Sequence, residues 1–154
     1  FLRPVSLFEI KEGNLLLSND KKRLDIEIIH NFLSNSYWSE GIPIETVEKG
    51  IANSMAFGLY KKDKQIGFCR IISDYASFAY LADVFVLNEE RGNGYAQWMI
   101  YGMKKNPELA GLRRWLLATK DAHALYKKTG WQLLENPDYF MEIVNKNIYK
   151  KNQE

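Results

Sequence analysis

The sequence predicts a single α/β domain in which a mixed, mostly antiparallel sheet is flanked by helices. Its 154 residues are 46% hydrophobic and 26% charged, which suits one domain with its own buried core. Segments rich in β-formers alternate with segments whose apolar residues recur at helical spacing. This order, without internal repeats, is typical of a sheet covered by helices.

The sequence of the amino-terminal third predicts a strand, a turn and two helices. "VSLFEI" at residues 5–10 alternates as a strand does, and "NLLLS" at 14–18 follows the Gly13 turn. Residues 24–36 form the first predicted helix, with Asp25 as its cap and an apolar face of Ile28, Ile29, Phe32 and Leu33. The second helix, residues 43–54, opens with Pro43 and carries Ile44, Val47 and Ile51 on one face.

The middle of the chain predicts consecutive strands followed by a helix. "MAFGLYKKDKQIGFCRII" at 55–72 contains two β-rich runs around a polar turn, and "AYLADVFVL" at 79–87 supplies the third. Sequential strands joined by short turns favour antiparallel pairing. The helix "YAQWMIYGM" occupies residues 95–103.

The carboxyl-terminal part predicts a strand, a short helix and a final pair of strands. "RRWLLAT" at 113–119 is an apolar strand, and the helix within 121–130 begins at Asp121 as N-cap and stops at Gly130. The last two predicted strands are "WQLL" at 131–134 and "YFMEIV" at 139–144. We expect one domain over residues 1–146 and a polar tail over 147–154 that frays.

Composition excludes several classes of function. The net charge is +2 and the basic pairs are scattered, so no nucleic-acid surface is expected. The amino terminus lacks a signal-peptide pattern and no apolar run approaches the roughly 18 residues that span a bilayer. The single cysteine, Cys69, forms no internal disulfide and suggests a buried thiol in a reducing, cytoplasmic setting. No metal site is predicted.

The loop "RGNGYA" at residues 91–96 lies between an apolar strand and the start of a helix. A helix start offers N–H groups that lack intrahelical acceptors, and its dipole adds partial positive charge. Gly92 and Gly94 allow positive φ and close approach of an anion, while Arg91 adds charge. This loop therefore suits a phosphate, although many strand-to-helix turns use glycine only for geometry.

Two nucleotide-binding motifs do not match this loop. A P-loop requires a lysine followed by serine or threonine, and neither follows Gly94. A dinucleotide-binding turn needs three glycines within a βαβ unit, whereas the strands preceding the loop are predicted to be antiparallel. Nucleotide hydrolysis and nicotinamide chemistry are both disfavoured.

The same residues resemble a known family. "RGNGYA" matches the R/Q-x-x-G-x-G/A signature of the GNAT superfamily of acyl-CoA-dependent N-acetyltransferases, and "YLADVFVLNEE" is similar to the strand that precedes the signature there. "RRWLLATKDAHALYKKTGW" resembles the family's next strand and helix. The resemblance covers residues 55–135 and implies a GNAT-like fold of six to seven strands and about four helices, with the family's fourth and fifth strands splayed apart.

The resemblance also implies a site for acetyl-CoA, which would serve as co-substrate. The diphosphate would lie on the backbone amides of the loop, those of Arg91, Gly92, Asn93, Gly94, Tyr95 and Ala96. The pantetheine arm would pair with the main chain of Val84, Phe85 and Val86 where the strands splay. A backbone N–H near Val84 or Phe85 would then polarise the thioester carbonyl.

Tyr126 matches the family's tyrosine that protonates the departing coenzyme A thiolate. A phenol with an ordinary pKa near 10 is a competent donor to a thiolate whose conjugate acid resembles a cysteine thiol, at about 8.5. A tyrosine that only packs on a short helix is the alternative. His123 lies one helical turn earlier, near where the family often has an asparagine that contacts pantetheine, and a surface histidine is the alternative there.

The general base is left open by the sequence. Polyamine acetyltransferases of the superfamily carry "YLEDFFV" where this chain has "YLADVFV", so Ala82 replaces their base and Asp83 is retained. Either Asp83, Asp74 or a water held by Tyr80 takes this role, or the acceptor needs no strong base. Asp83 could equally be a carboxylate paired with a nearby cation.

The acceptor pocket is expected between the connection of the first two helices and the turn before "AYLADVFVL". Aromatic and acidic residues are frequent there, namely Tyr37, Trp38, Asp74, Tyr75, Phe78 and Tyr80. Aromatic walls attract a cation by about 0.5 to 2 kcal/mol, which favours a small cationic or aromatic amine. Each aromatic residue could instead serve only in packing.

The sequence therefore predicts a cytoplasmic acetyl-CoA-dependent N-acetyltransferase that acts on a small-molecule amine by direct transfer in a ternary complex. Cys69 has no histidine partner in the sequence that would make it a nucleophile. A non-catalytic acyl-CoA sensor or protein-binding module is the alternative, which Ala82 favours, and a protein or peptide amine is the alternative acceptor. Many relatives are dimers, and "YFMEIV" offers an edge for a homodimer.

Overall fold

A computed structural model describes residues 5–150, and a six-stranded sheet forms their centre. The strands lie in chain order: β1 (Glu9–Glu12), β2 (Leu15–Ser18), β3 (Met55–Lys61), β4 (Lys64–Ser73), β5 (Phe78–Val86) and β6 (Arg114–Leu116). All neighbours are antiparallel except β5 and β6, which are parallel. The helices are α1 (Ile26–Ser34), α2 (Ile44–Ala52), α3 (Tyr95–Met103) and α4 (His123–Lys128). The predicted fold class is confirmed.

Each face of the sheet is covered by a pair of helices. α3 and α4 pack on one face over a core that includes Phe57, Leu81 and Met99. α1 and α2 pack on the other face, where their buried residues Ile29, Leu33, Val47 and Ile51 meet Phe68 and Phe85. The central strands thus have apolar residues on both faces, which accounts for the continuous apolar runs of the sequence.

The start of α1 is fixed as predicted. The Asp25 side chain accepts a hydrogen bond from the Ile28 N–H at 3.2 Å, and the Asp25 N–H donates to Gln65 Oε1 at 2.7 Å. The carboxylate thereby satisfies one of the helix's unpaired amides and complements its dipole. Gln65 is itself buried in β4, so the helix start is tied to the sheet.

The first predicted strand lies too early in the chain. The prediction placed it at residues 5–10, whereas β1 spans Glu9–Glu12 and pairs with β2 across the turn at Gly13. The turn sets the register from Glu12 opposite Leu15 outward. At the other end the Asn19 N–H donates to the Phe8 carbonyl at 3.2 Å, while the Phe8 N–H donates to the Asn19 side chain at 2.8 Å instead of to a backbone carbonyl.

The predictions for the carboxyl-terminal elements were partly wrong. β6 covers Arg114–Leu116 instead of 113–119, and residues 131–134 and 139–144 are not strands. A 3-10 turn at Pro137–Tyr139 follows the first segment and includes the first residue of the second, and neither segment has a paired neighbour among the described residues. A local β pattern makes a strand only where a partner backbone is available. Asp121 is also not the N-cap of α4: Ala122 takes that position without a side-chain bond.

Cys69 is fully buried in β4, as predicted, and burial raises the pKa of its thiol well above its usual range. None of the helices within residues 5–150 has the length and apolar character that a bilayer crossing requires. Of the predicted polar tail, Tyr149 packs against the core of α1 and α2, while residues 151–154 lie outside the described part of the chain.

Candidate active site

The loop between β5 and α3 leaves a helix start without a side-chain cap. Gly92 and Gly94 both have positive φ, +84° and +76°, and Gly94 is the N-cap residue of α3. No acidic side chain occupies the first turn of α3, and a Cβ built on either glycine would meet nothing within 4 Å. The space beside both glycines is therefore open, and the amides that open α3 have no side-chain acceptor, as an anion site requires.

A cleft begins where β5 and β6 separate. The two strands pair only from Phe78 opposite Arg114 to Tyr80 opposite Leu116, after which β5 continues alone on this side to Val86. A cavity of about 470 Å³ lies outside β6, whereas the cleft itself, of about 670 Å³, extends along Val84, Phe85 and Val86 to Arg91 and Ala96 of the glycine loop. Unpaired strand edges provide backbone donors and acceptors to a ligand. The predicted splaying is thus present.

A β-bulge shapes the wall of this cleft. The pairing passes from Arg70 opposite Ala82 to Phe68 opposite Phe85, so Asp83 and Val84 together face the single residue Cys69. Asp83 adopts φ +56°, which is uncommon for a residue with a side chain. A bulge adds local twist and re-aims the side chains beside it.

A second cleft, of about 530 Å³, continues beyond the bulge. Arg70, Tyr80 and Asp83 line it on the sheet side, and Thr119 and Lys120 line it on the β6 side. Both clefts share the residues Tyr37, Trp38, Val84, Asp121, Ala122 and Tyr126. They therefore meet at Tyr126 and form one passage from the glycine loop to the β4–β5 side of the sheet.

Tyr126 occupies this junction with its phenol buried. The residue is 8% exposed and packs edge-on against Trp131 with ring centroids 6.0 Å apart. Burial raises its pKa well above the ordinary value near 10. Since the hydroxyl retains its proton at neutral pH, it can act as a donor to a group in the passage.

Comparison with known proteins identifies the family. The family model described as "Acetyltransferase (GNAT) domain" matches residues 52–133, more than half of the chain. The chain belongs to the GNAT acetyltransferase family. Acetyl transfer is accordingly the reaction class of this protein, and the recognition made on the glycine loop is confirmed.

Individual relatives agree with this assignment. A Gibberella zeae protein named "Putative acetyltransferase FG08082" is 31% identical over 139 residues, covering 75% of this chain and 77% of that protein. A crystal structure of a GNAT-family protein from Xanthomonas campestris is 41% identical with a TM-score of 0.86, covering 92% of this chain and all of that one. A Clostridium acetobutylicum acetyltransferase solved with acetyl-CoA shares the fold, with 16% identity, a TM-score of 0.61 and coverage of 85% and 95%.

In this acetyltransferase Asp83 is held by two donors. Arg70 Nε donates to Asp83 Oδ2 at 2.9 Å, and Trp38 Nε1 donates to Asp83 Oδ1 at 3.0 Å. The ion pair is mostly buried, with the two side chains 20% and 12% exposed. Each oxygen of the carboxylate thus already accepts a hydrogen bond. Tyr80 lies nearby, and burial, with the Asp83 charge second, raises its pKa.

The connection between α1 and α2 closes one side of the passage. The Tyr37 hydroxyl accepts from the Lys120 N–H at 2.9 Å, and Lys120 Nζ lies 5.4 Å from the centre of the Tyr37 ring. Trp38 packs edge-on against Tyr37, with ring centroids 5.1 Å apart. Both aromatic side chains are nevertheless 41–51% exposed, so they border the passage without being core residues.

Several predicted site residues do not line either cleft. In the glycine loop, Asn93, Gly94 and Tyr95 border a separate cavity beside Lys61 and Trp98, and Gly92 lines neither cleft.

Asp74, Tyr75 and His123 also lie away from both clefts. The Asp74 carboxylate accepts hydrogen bonds from the amides of Ala76, Ser77 and Phe78 and from the Ser77 hydroxyl, and these bonds lower its pKa. Asp74 therefore organises the β4–β5 turn, and Tyr75 beside it packs on the α3 side core. His123 lines the separate cavity outside β6.

Sequence reasoning missed Arg70, Lys120 and Asp121 as residues of the passage. Arg70 is the one charged side chain within the apolar run "IGFCRII" of β4, which is a signal that a partner charge lies across the sheet. Lys120 and Asp121 follow the short β6 and had no comparable signal. Within residues 5–150, no three His, Cys, Asp or Glu side chains are grouped as metal ligands would be.

Proposed function

We propose that this protein transfers the acetyl group of acetyl-CoA to a primary amine of a small molecule by direct attack in a ternary complex. The observation that carries the proposal is the passage itself: a bare helix start at one end, a pocket at the other, and the buried Tyr126 phenol where they meet. Acetyl-CoA supplies the acetyl thioester. A protein or peptide amine would need a surface groove, whereas the acceptor cleft of about 530 Å³ matches a small molecule.

The cofactor end fits the chemistry of a nucleotide diphosphate. The amides of Gly92 to Ala96 offer donors and dipole charge, whereas the Arg91 N–H already donates to the Asn88 carbonyl at 3.3 Å. Arg91 Nε donates to the Val86 carbonyl at 3.4 Å, which keeps its guanidinium above the cleft. Glu90 lies next to the loop, but Lys61 pairs with its carboxylate at 3.2 Å. The pantetheine arm then follows Val84 to Val86, where β5 lacks a strand partner on that side.

The groups at the junction of the two clefts have separate roles in the proposed reaction. A backbone N–H beside the bulge, at Val84 or Phe85, stabilises negative charge on the carbonyl oxygen. The amine forms the new C–N bond as the C–S bond breaks, and Tyr126 gives its proton to the departing sulfur. Both Asp83 oxygens already accept hydrogen bonds, from Trp38 and Arg70, so the amine does not contact the carboxylate directly. A water that Tyr80 helps to hold carries the proton from the amine to Asp83.

The acceptor is an amine with an apolar or aromatic body, because the charged side chains that line its cleft balance one another. Asp83 pairs with Arg70 at 2.9 Å, and Lys120 and Asp121 bring opposite charges to the rim, so no excess charge remains in the cleft. Aromatic surface from Tyr37 and Trp38 suits an apolar or aromatic body. The protein acts in a reducing, cytoplasmic compartment in this proposal, and it does so as a homodimer.

Tyr126→Phe tests the proposal. We expect kcat for thiol release from acetyl-CoA, measured over a panel of monoamines, polyamines and amino acids, to fall about 100-fold or more, since a lost general acid costs that much. Acetyl-CoA affinity by calorimetry should stay within about threefold. Tyr101→Phe, which removes a hydroxyl that donates to the Lys128 carbonyl at 2.7 Å outside the passage, is the control. Acetyl-CoA binding without turnover on any amine would instead identify an acyl-CoA sensor.

The pH dependence of the same reaction gives an independent measurement. Because burial raises the pKa of Tyr126, its protonated form persists above the ordinary value near 10. We expect kcat at saturating amine to rise with pH as the acceptor loses its proton and then to show no fall below about pH 10. A fall near pH 8 that disappears in Tyr126→Phe would contradict this assignment.

A further inference from the structure

The Arg70 guanidinium borders the acceptor cleft with part of its hydrogen-bonding capacity unused. Its Nε donates to Asp83 Oδ2 at 2.9 Å, whereas its Nη1 reaches the Ser54 hydroxyl only at 3.5 Å, which is long for such a bond. Within residues 5–150, no acceptor lies within hydrogen-bond distance of Nη2. The side chain is only 20% exposed and lines the cleft, so a partner for Nη2 has to come from the cleft.

The neighbours of Arg70 in the sheet keep its guanidinium accessible. Arg70 lies opposite Ala56 on β3 and opposite Ala82 on β5, so both cross-strand neighbours on its face of the sheet end at Cβ. On the helix side, a Cβ added to Gly50 of α2 would lie 3.5 Å from Nη1. Helix α2 therefore backs the guanidinium, and the two alanines add no bulk between it and the cleft that it lines.

The charged side chains that line the acceptor cleft sum to zero. Arg70 balances Asp83, and Lys120 balances Asp121. An ammonium group that entered alone would add an uncompensated positive charge, whereas an acceptor that also carries a carboxylate leaves the sum unchanged. The neutral cleft therefore favours a zwitterionic acceptor over a simple alkylamine or a polyamine.

The contact between Arg70 and Asp83 sets how far apart the two charged groups of the acceptor are. In the proposed function the amine passes its proton toward Asp83, and an acceptor carboxylate on Arg70 Nη2 would lie beside the same ion pair. The amine and the carboxylate must therefore be close neighbours, as they are when both are bonded to one carbon atom. An α-amine also loses its proton more readily than an alkylamine such as that of lysine, which suits a base whose two oxygens already accept hydrogen bonds.

We propose that the acceptor is a free α-amino acid with an apolar or aromatic side chain, and that Arg70 binds its carboxylate through Nη2. This inference rests on the proposed function, since it names the substrate class of the same cleft. The planar guanidinium can hold the carboxylates of Asp83 and of the acceptor on different N–H groups, and both bonds are charge-assisted. The side chain of the amino acid then lies against Tyr37 and Trp38, which line the cleft and are partly exposed.

The products of this reaction are an N-acetyl amino acid and coenzyme A. The amine nitrogen bonds to the acetyl carbon as the C–S bond breaks, one amine proton passes through water to Asp83, and Tyr126 protonates the departing sulfur. The carboxylate on Arg70 takes no part in these bond changes. Its contribution is to hold the amine beside the thioester, which is an effect of positioning.

Matched pairs of acceptors test the carboxylate directly. Phenylalanine and phenethylamine, or leucine and isoamylamine, differ only in that group, and thiol release from acetyl-CoA gives kcat/KM per unprotonated amine for each. We expect each amino acid to exceed its amine at least about 10-fold, since a hydrogen bond between charged groups contributes that much. An amine that equals its amino acid would overturn the inference and leave the proposed function intact. Phenylalanine amide that equals phenylalanine would also overturn it and would indicate a peptide amino terminus as the acceptor.

Arg70→Lys tests the residue that is assigned to the carboxylate. Lysine keeps a positive charge beside Asp83 but lacks the planar fork, so we expect the ratio of kcat/KM for phenylalanine to that for phenethylamine to fall about 10-fold. The ratio isolates recognition, because any change in the Asp83 base affects both acceptors alike. Arg113→Lys, at an exposed arginine just before β6, is the matched control and should leave the ratio unchanged. An unchanged ratio in Arg70→Lys that is folded by circular dichroism would overturn the assignment.

Binding of phenylalanine to the complex with coenzyme A gives a measurement that does not depend on turnover. We expect calorimetry to detect this binding in the wild type, and we expect Arg70→Lys to weaken it about 10-fold while Arg113→Lys does not. If no amine were acetylated, the proposed function would fail and this binding alone would decide the inference. Absence of phenylalanine binding to the coenzyme A complex would then overturn the inference as well.

Discussion

The amino ends of α1 and α3 face the same physical problem and solve it in opposite ways. Both helices have nine residues and begin with unpaired amides. Asp25 caps α1 from its own chain, whereas α3 begins at Gly94 with no side-chain bond and no acid in its first turn. α2 and α4 also begin without a side-chain cap, so what distinguishes α3 is the open space beside Gly92 and Gly94, which is consistent with the anion site proposed above.

Between these two helix ends, the largest expected effect comes from giving α3 its own carboxylate. We expect Gly94→Asp to weaken acetyl-CoA binding about 30- to 100-fold, because the new charge repels the diphosphate at the amides. Gly94→Asn is the matched control, since it carries the same backbone strain at φ +76° without the charge. Calorimetry with coenzyme A measures both. Equal losses for Asp and Asn would mean that the charge has no role at this helix start.

The reverse change at α1 should affect stability alone. Asp25→Ala removes the hydrogen bond to the Ile28 amide, and we expect the free energy of unfolding to fall by about 1 kcal/mol in denaturant titrations. Asp25→Asn retains an acceptor and should lose less. Coenzyme A affinity should remain unchanged in both variants, and a comparable loss of affinity would show that the two helix ends are coupled.

The smallest expected effect concerns the charge beside the loop. Arg91→Gln should weaken coenzyme A about threefold at low ionic strength and less in salt, because an exposed cation is screened. Lys105→Gln, at an exposed lysine beyond the far end of α3, serves as the control for net charge. If Arg91→Gln matched the loss expected for Gly94→Asp, the side chain and not the helix start would be the principal anion contact.

The sequence contained most of the fold because its central elements depend on local signals. Asp25 before an apolar face, the polar turn between β3 and β4, and the glycines before α3 each act over a few residues. The strands expected at 131–134 and 139–144 depend instead on a neighbour that the described chain does not supply. Both segments have strand propensity, but no neighbouring strand among the described residues pairs with their backbone.

Some residues of the candidate site can likewise be predicted from local motifs, whereas others depend on tertiary contacts. The glycine loop and Tyr126 follow from motifs, whereas the contacts of Asp83 with Arg70 and Trp38 depend on the bulge and on a loop 45 residues away in sequence. Asp74 was expected to serve the acceptor because of its charge alone, and its carboxylate is taken up by four donors of its own turn. Tertiary geometry decides whether a carboxylate such as that of Asp74 accepts hydrogen bonds from its own turn or remains available to a ligand.

The β-bulge at Asp83 and Val84 changes which face of the sheet the later side chains of β5 point to. Before the bulge, the odd-numbered residues Ala79 and Leu81 pack in the α3–α4 core. After the bulge, the even-numbered Val86 packs in that core, so Phe85 lies on the other face and stacks on Phe32 with ring centroids 4.1 Å apart. Deleting one residue here would therefore rotate every later side chain of the strand to the opposite face. The ring stack under α1 and the route toward the glycine loop would be lost together, so this strand tolerates substitution far better than a change in length.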